Sequence, residues 1–394
     1  MIHKFSADII YSGDGEVWND VVIIADDNGI ILEVGALKDH DPASIRFFKG
    51  ILLPGMINTH CHLELSHMKG KIDTGTGLIS FINQVVRYRE SDQQEILSAI
   101  EAADSEMYEN GIVAVGDISN KADTADIKSR SKLDYYTFVE FFDLMQPALT
   151  AKTIAQYKEV FDKQSTHRNN KKSMVPHAPY SVTKELFAFI RQNQPEHVTV
   201  SIHIQETMDE MKMFLDGSGG FIEFYENFGL SLSHFSPTGQ SSIHYAMENM
   251  NPANPTLFIH NTLTGDEDIE AARHWNQHVF WATCPNANLY IENRLPDYRI
   301  FMDAEAKVTL GTDSLTSNWQ LSVWEEMKTI RKYCSYVPLE DLVVWACING
   351  AQALGYADRL GSIRQGKTPG IVWVECAVVN GRADIAGSQS VRVI

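Results

Sequence analysis

The chain has 394 residues, 44% hydrophobic and 21% charged, with 33 basic and 51 acidic side chains and a formal net charge of −18. That length can bury a large core and suits one large domain plus a smaller one; the acidic balance argues against non-specific binding to nucleic acid or an anionic membrane. Five cysteines (Cys61, Cys284, Cys334, Cys347 and Cys376) are widely spaced without a CxxC pair, which argues against a disulfide framework or a structural zinc knuckle and for a reducing cytoplasm. The first residues are too polar for a signal peptide, and no run approaches the ~18 apolar residues of a membrane span.

Residues 7–11, 20–25 and 29–34 alternate and are β-branched, with turn-rich breaks at 12–15 and 26–29. They predict a small β unit. Residues 370–375 and 377–381 read as strands again, so the two chain ends are expected to pair into a small β-sandwich domain, 1–53 with 366–394. Between them, eight apolar β-rich runs recur, at 51–58, 112–118, 135–142, 173–177, 198–204, 255–260, 278–284 and 306–312. Helical spacing marks 79–89, 95–108, 184–190, 208–228, 321–333 and 339–354. Strands alternating with helices predict an α/β fold, a (β/α)8 TIM barrel over 54–365. The rival, a doubly wound sheet, usually carries a Gly-rich fingerprint after an early strand, and none is present.

The ends of these strands carry the chemistry. The run that breaks at Pro54-Gly55 finishes in His60-Cys61-His62; on a strand the two imidazoles share a face and Cys61 points away. The fourth strand ends in His177, the fifth in His203, the sixth in His260 and the eighth in Asp313. A single histidine at a strand end is more often a hydrogen-bonded structural residue. Histidines and an aspartate at the rim of strands one, five, six and eight are hard to explain by packing. They form the N/O set of a catalytic metal site with an open position, at the rim where such barrels keep their active sites.

With Pro54-Gly55-Met56-Ile57-Asn58-Thr59-His60-Cys61-His62, His203-Ile204-Gln205-Glu206-Thr207, Ile259-His260-Asn261 and Gly311-Thr312-Asp313-Ser314, the chain resembles the amidohydrolase superfamily over nearly its whole length. It is similar to the branch of cytosine, guanine, S-adenosylhomocysteine and aminofutalosine deaminases and triazine chlorohydrolases. The resemblance implies that His60, His62, His203 and Asp313 hold one divalent ion, zinc or iron. It implies that Glu206 is the proton shuttle, that Asp313 also accepts a proton, and that His260 orients the attacking water. Binuclear members place a carboxylated lysine at the end of strand four. Here that end is His177, with Lys171 and Lys172 at the strand's start, so a mononuclear site is expected. His177 reads as a substrate contact or a structural rim histidine.

A divalent ion lowers the pKa of bound water from ~15.7 to ~7, enough to supply a nucleophile at neutral pH. The expected reaction is hydrolytic deamination of an amino-heterocycle, with a lean toward a purine nucleoside or aminofutalosine. The alternatives are amide or dipeptide hydrolysis, dehalogenation, or a non-catalytic binding module, the last opposed by the intact ligand set. Secondary expectations attach to loops. Asn286 or Asn288 after strand seven, and Glu64, Ser66 and His67 after strand one, are candidates for substrate contact or for plain loop structure. Phe81, Trp319 and Trp324 are candidates for stacking or for core. The expected partner is a small molecule, with neither nucleic acid nor membrane, and a homodimer is compatible with the class.

Overall fold

The computed structural model describes residues Met1–Ile394. Its middle consists of two four-stranded parallel sheets. The first contains β1 (Met56–Cys61), β2 (Ile112–Ser119), β3 (Asp134–Phe141) and β4 (Lys171–Pro176); the second contains β5 (Val200–Ile204), β6 (Thr256–His260), β7 (Val279–Thr283) and β8 (Val308–Leu310). Neighbours within each sheet are consecutive in sequence and parallel. Such pairs require crossover connections, and helices supply most of them. The sheet edges meet each other. Cys61 forms a parallel bridge with Asp313, the amides of Thr312 and Asp313 donate to the His60 carbonyl at 3.0 Å, and Thr59 Oγ1 donates to the Leu310 carbonyl at 2.9 Å. On the other edges the His203 amide donates to the His177 carbonyl at 2.9 Å.

The expected run 51–58 is two strands. Arg46–Pro54 belongs to a different, mixed sheet, and β1 begins after Gly55. A Cβ at Gly55 would lie 2.2 Å from Val113 Cγ1 and 2.7 Å from the Pro369 carbonyl, so only glycine lets the chain pass between the sheets. That mixed sheet has seven strands drawn from both chain ends. Ile371–Val374 pairs antiparallel with residues 51–54, and Ser390–Arg392 pairs with Ile371–Val374. The expected sandwich is corrected here: the ends form one continuous mixed sheet, and Ala377–Val379 instead makes a separate hairpin with Arg382–Asp384.

Helices occupy the predicted segments with two differences: 339–354 passes through a π-helical stretch at Trp345–Asn349, and a second segment is divided. The 208–228 segment is two helices, Met208–Asp216 and Gly220–Asn227. Gly217 (φ 76°) and Gly219 (φ 94°) adopt left-handed backbone that ends the first helix and reorients the second. No helix is long and apolar enough to cross a membrane. The five cysteines are buried and unpaired.

Candidate active site

β1 delivers His60 at its penultimate position, and His62 follows directly after the strand. His60 Nε2 lies 3.2 Å from His62 Nε2, which lies 3.3 Å from His203 Nε2 at the end of β5. Asp313 Oδ1 is 3.5 Å from His60 Nε2 and 3.3 Å from His62 Nε2. Ligands tetrahedral about an ion at 2.0–2.1 Å are separated by about 3.4 Å. The three imidazole nitrogens therefore lie within 4.8 Å of one another, with Asp313 Oδ1 closing on two of them, at the spacing of a divalent-ion site. The second nitrogens support this. His203 Nδ1 donates to the His177 carbonyl at 2.9 Å, which aims Nε2 at the other ligands. Burial holds His60 and His62 down to about 4, so both are neutral donors at pH 7. Burial alone would raise the Asp313 carboxyl, but the hydrogen bond from His60 and the neighbouring imidazoles of His62, His60 and His260 hold it well below the usual range. Ser317 Oγ fixes its other oxygen at 2.5 Å.

The backbone at this rim is unusual. Gln205 (φ 50°), His260 (φ 74°), Asn261 (φ 57°) and Asp313 (φ 55°) all sit in the left-handed region without being glycine. Strain of this kind persists only where neighbours over-determine it. Here Asn261 Nδ2 donates to the Phe258 and Ala282 carbonyls, and the Leu263 amide donates to the Gln205 carbonyl.

Glu206 and His260 form a second polar pair beside the cluster, His260 Nε2 lying 3.7 Å from Glu206 Oε2. Glu210 holds the turn by accepting the Gln205 and Glu206 amides at 2.9 and 3.1 Å. Burial pushes the Glu206 carboxyl well above its ordinary range; His203 pulls it down, while Asp313, Glu210 and Glu292 push it further up. His260 Nδ1 sits 2.9 Å from Asn288 Oδ1, an arrangement that keeps the proton on Nδ1 and leaves Nε2 as an acceptor.

A cavity of about 350 Å³ opens on these groups. His62, Glu64, His177, His203, Glu206, His260 and Asp313 all line it. His177 Nδ1 is 2.6 Å from Ser181 Oγ. Glu64 Oε2 accepts the amides of Asn120 and Lys121, both at 2.9 Å. Asn286 is a correction. Its backbone and side-chain amides donate to Glu326 at 2.8 and 2.9 Å, its Oδ1 accepts from Thr329 at 2.6 Å, and it does not reach the cavity. Its neighbour Asn288 acts on His260 instead. Of the three aromatics, Phe81 lines the cavity, Trp324 is core, and Trp319 is exposed beside Tyr290. Ser66 Oγ donates to the Leu63 carbonyl, and His67 Nε2 donates to the Arg89 carbonyl, so both brace the first loop.

Sequence reasoning missed Glu140. Glu140, at the end of β3, places Oε1 3.2 Å from His203 Nδ1. Burial opposes charge on His203, but Glu140 and Glu206 outweigh it and lift that imidazole to about 9. An ion and a proton compete for the same Nε2, so binding an ion there releases the proton. The signal for Glu140 was a lone acid inside the apolar run 135–142.

Parallel α/β sheets carrying an inward His/Asp cluster at the strand ends define a metal-capable hydrolase scaffold. The chain belongs to the amidohydrolase family, whose model matches residues 51–393, and it is a hydrolase acting on carbon–nitrogen bonds. It is 27% identical over 350 residues to an adenosine deaminase of Helicobacter pylori, covering 86% of this chain and 83% of that one. It is 28% identical over 346 residues to an aminodeoxyfutalosine deaminase of Nitratiruptor sp., covering 84% and 79%. Among solved structures, the aminofutalosine deaminase of Helicobacter pylori in complex with methylthio-coformycin shares the fold with a TM-score of 0.77 at 24% identity, covering 94% of this chain and 91% of that one. An adenosine deaminase from Xanthomonas campestris with bound zinc gives a TM-score of 0.71 at 20% identity, covering 96% and 86%.

Proposed function

We propose that the protein hydrolytically deaminates an adenine-type amino-heterocycle, using one divalent ion, zinc, held by His60, His62, His203 and Asp313. The two parallel sheets are read as a single (β/α)8 barrel over 54–365, joined to a small β domain from 1–53 and 366–394. The observation that carries the reading is the juxtaposition of the three-histidine cluster and Asp313 with the Glu206–His260 pair on one cavity. The relatives named above act, by their names, on adenine-type amines, and this supports the substrate class. A single ion is favoured because the fourth strand offers no lysine at its rim. Lys172 Nζ donates to the Phe161 and Gln164 carbonyls and Lys171 Nζ to the carbonyls of Leu354 and Gly355, all at the strand's beginning.

The ion, when bound, supplies a water of lowered pKa. The chain supplies proton transfer and orientation. Glu206, its carboxyl raised by burial, takes one proton from the attacking water and delivers it to the ring nitrogen. One carboxyl can do both because its environment holds it far above a surface glutamate. His260 Nε2, fixed by Asn288, accepts a hydrogen bond from the water and sets its approach. Asp313, held ionised, takes the water's second proton as the tetrahedral adduct collapses and passes it to the departing amine, so ammonia leaves and both carboxyls return to their starting state. The products are the oxo-heterocycle and ammonia.

The test is ammonia release by purified, metal-replete protein across adenine nucleosides, free bases, pterins and amides. Ammonia with the matching oxo product is expected from an adenine-type compound. Release of an amino acid or halide, with no ammonia from any heterocycle, would overturn the reading.

A further inference from the structure

Glu326, on the helix Val323–Tyr333, is fully buried and lines no part of the cavity. Three N–H groups converge on its carboxylate. Oε2 accepts the Asn286 backbone amide at 2.8 Å, and Oε1 accepts Asn286 Nδ2 at 2.9 Å and Asn318 Nδ2 at 2.7 Å. The two asparagines are themselves buried, and they belong to the segments that follow β7 and β8. One acid on a third element therefore ties together two rim segments that carry different chemistry.

The first arm runs to His260. The helix Pro285–Glu292 begins without a capping side chain of its own, so the Asn286 amide is one of the donors left open at a helix start. Glu326 fills it from another element, and Thr329 Oγ1, one turn along from Glu326, donates to Asn286 Oδ1 at 2.6 Å. The first turn of the helix is thereby fixed. Asn288, in that turn, places Oδ1 2.9 Å from His260 Nδ1. The second arm runs to Asp313. Asn318 Nδ2 also donates to the Thr312 carbonyl at 2.7 Å. The amide of that same peptide, on Asp313, donates to the His60 carbonyl at 3.0 Å. A peptide held at both ends fixes the entry into Asp313, whose φ of 55° lies in the left-handed region and needs such support.

Resting on the deamination reading, we infer that Glu326 is a positioning residue for the reaction: its carboxylate holds Asp313 at the ion position through Asn318 and Thr312, and aims His260 through Asn286 and Asn288. Only a side chain that accepts on both oxygens does this. Glutamine keeps the volume but turns an NH2 group onto N–H donors, leaving at least one buried donor unpaired. Outer partners of this kind are worth about 10–100-fold in metal affinity or activity.

The test measures two quantities: zinc affinity, by competition with a chelator in the absence of substrate, and kcat for ammonia release at saturating zinc. The proteins are wild type, Glu326→Gln, Asn318→Ala, Asn288→Ala and the double variant Glu326→Gln/Asn288→Ala. Glu326→Gln is expected to weaken zinc binding about 10–100-fold and to lower the zinc-saturated kcat about tenfold. The kcat loss in the double variant is expected to fall short of the product of the two single losses, because both act through His260. Asn318→Ala cuts only the second arm; it is expected to weaken zinc binding in the same direction, and it decides that arm even if Glu326→Gln does not fold. Zinc affinity and zinc-saturated kcat within about threefold of wild type in Glu326→Gln overturn the inference. Wild-type zinc affinity in Asn318→Ala, or single kcat losses that multiply in full, overturn it as well and leave Glu326 as a core residue. The zinc measurement needs no substrate, so it stands even if no amine releases ammonia, the result that would sink the deamination reading instead.

Discussion

Replacing Glu206 by glutamine isolates the proton shuttle from the rest of the site. The side chain is 4% exposed, its amide is held by Glu210, and its Oε2 is 3.7 Å from His260 Nε2. Glutamine has the same shape, and Glu206 is neither in the His60–His62–His203 cluster nor the carboxylate that approaches it, so geometry and metal content are expected to survive. What disappears is a carboxyl, raised by burial, that can accept and donate a proton. Acid–base catalysis by one positioned group contributes about 10²–10⁴-fold, or roughly 2.7–5.5 kcal/mol of barrier. The assay is steady-state ammonia release with metal analysis of the same preparation. The expected result is a fall in kcat of that size with KM nearly unchanged and full metal occupancy. A kcat within about threefold of wild type would refute the assignment; a drop accompanied by metal loss would make Glu206 a ligand rather than a shuttle.

Other expectations concern the supports of the site. Lys128 Nζ and Asp117 Oδ2 form a fully buried pair at 2.5 Å, and Asp117 Oδ1 accepts the Leu63 amide at 2.7 Å just after His62. Lys128→Met strands a buried carboxylate and is expected to cost about 3–5 kcal/mol in denaturant unfolding; a loss under about 1 kcal/mol would contradict that. Asn288→Ala frees the ring of His260 and is expected to lower kcat about tenfold with metal content unchanged, a change missing if Asn288 merely fills a turn. Glu64 is raised by burial from 4.5 to about 7. Folding therefore favours its protonated form, a contribution present below pH ~4.5 and lost as pH rises through ~7, up to about 3 kcal/mol. Glu64→Gln, which still accepts the Asn120 and Lys121 amides, is expected to flatten the fall in stability over that interval; an unchanged pH profile would rule Glu64 out as its source.

Much of the site is legible in sequence because strand geometry is local. The period of two puts His60 and His62 on one face, and each of His203, His260 and Asp313 stands at the end of an apolar run. Where sequence fails, the cause is a contact from far along the chain or a backbone turn. Asn286 and Asn288 are indistinguishable as letters, but the buried carboxylate of Glu326 captures the first and leaves the second to hold His260. The left-handed conformations of His260 and Asp313 break the strand period right at the rim, and nothing in the adjacent residues announces them. Glu140 and Glu326 matter only through neighbours on other elements. The end sheet was visible as strands, but its partition was not, because Gly55 hides the change of sheet inside an unbroken apolar run.

The central claim is that one ion in the His60–His62–His203–Asp313 cluster supports hydrolytic deamination. It is tested most directly by stripping the protein of metal and titrating zinc back while following ammonia release from an adenine-type substrate. The account predicts no release without metal, a linear rise that ends at one equivalent, and no recovery in His203→Ala at that loading. Release that is independent of added metal, or that needs a second equivalent, would contradict it.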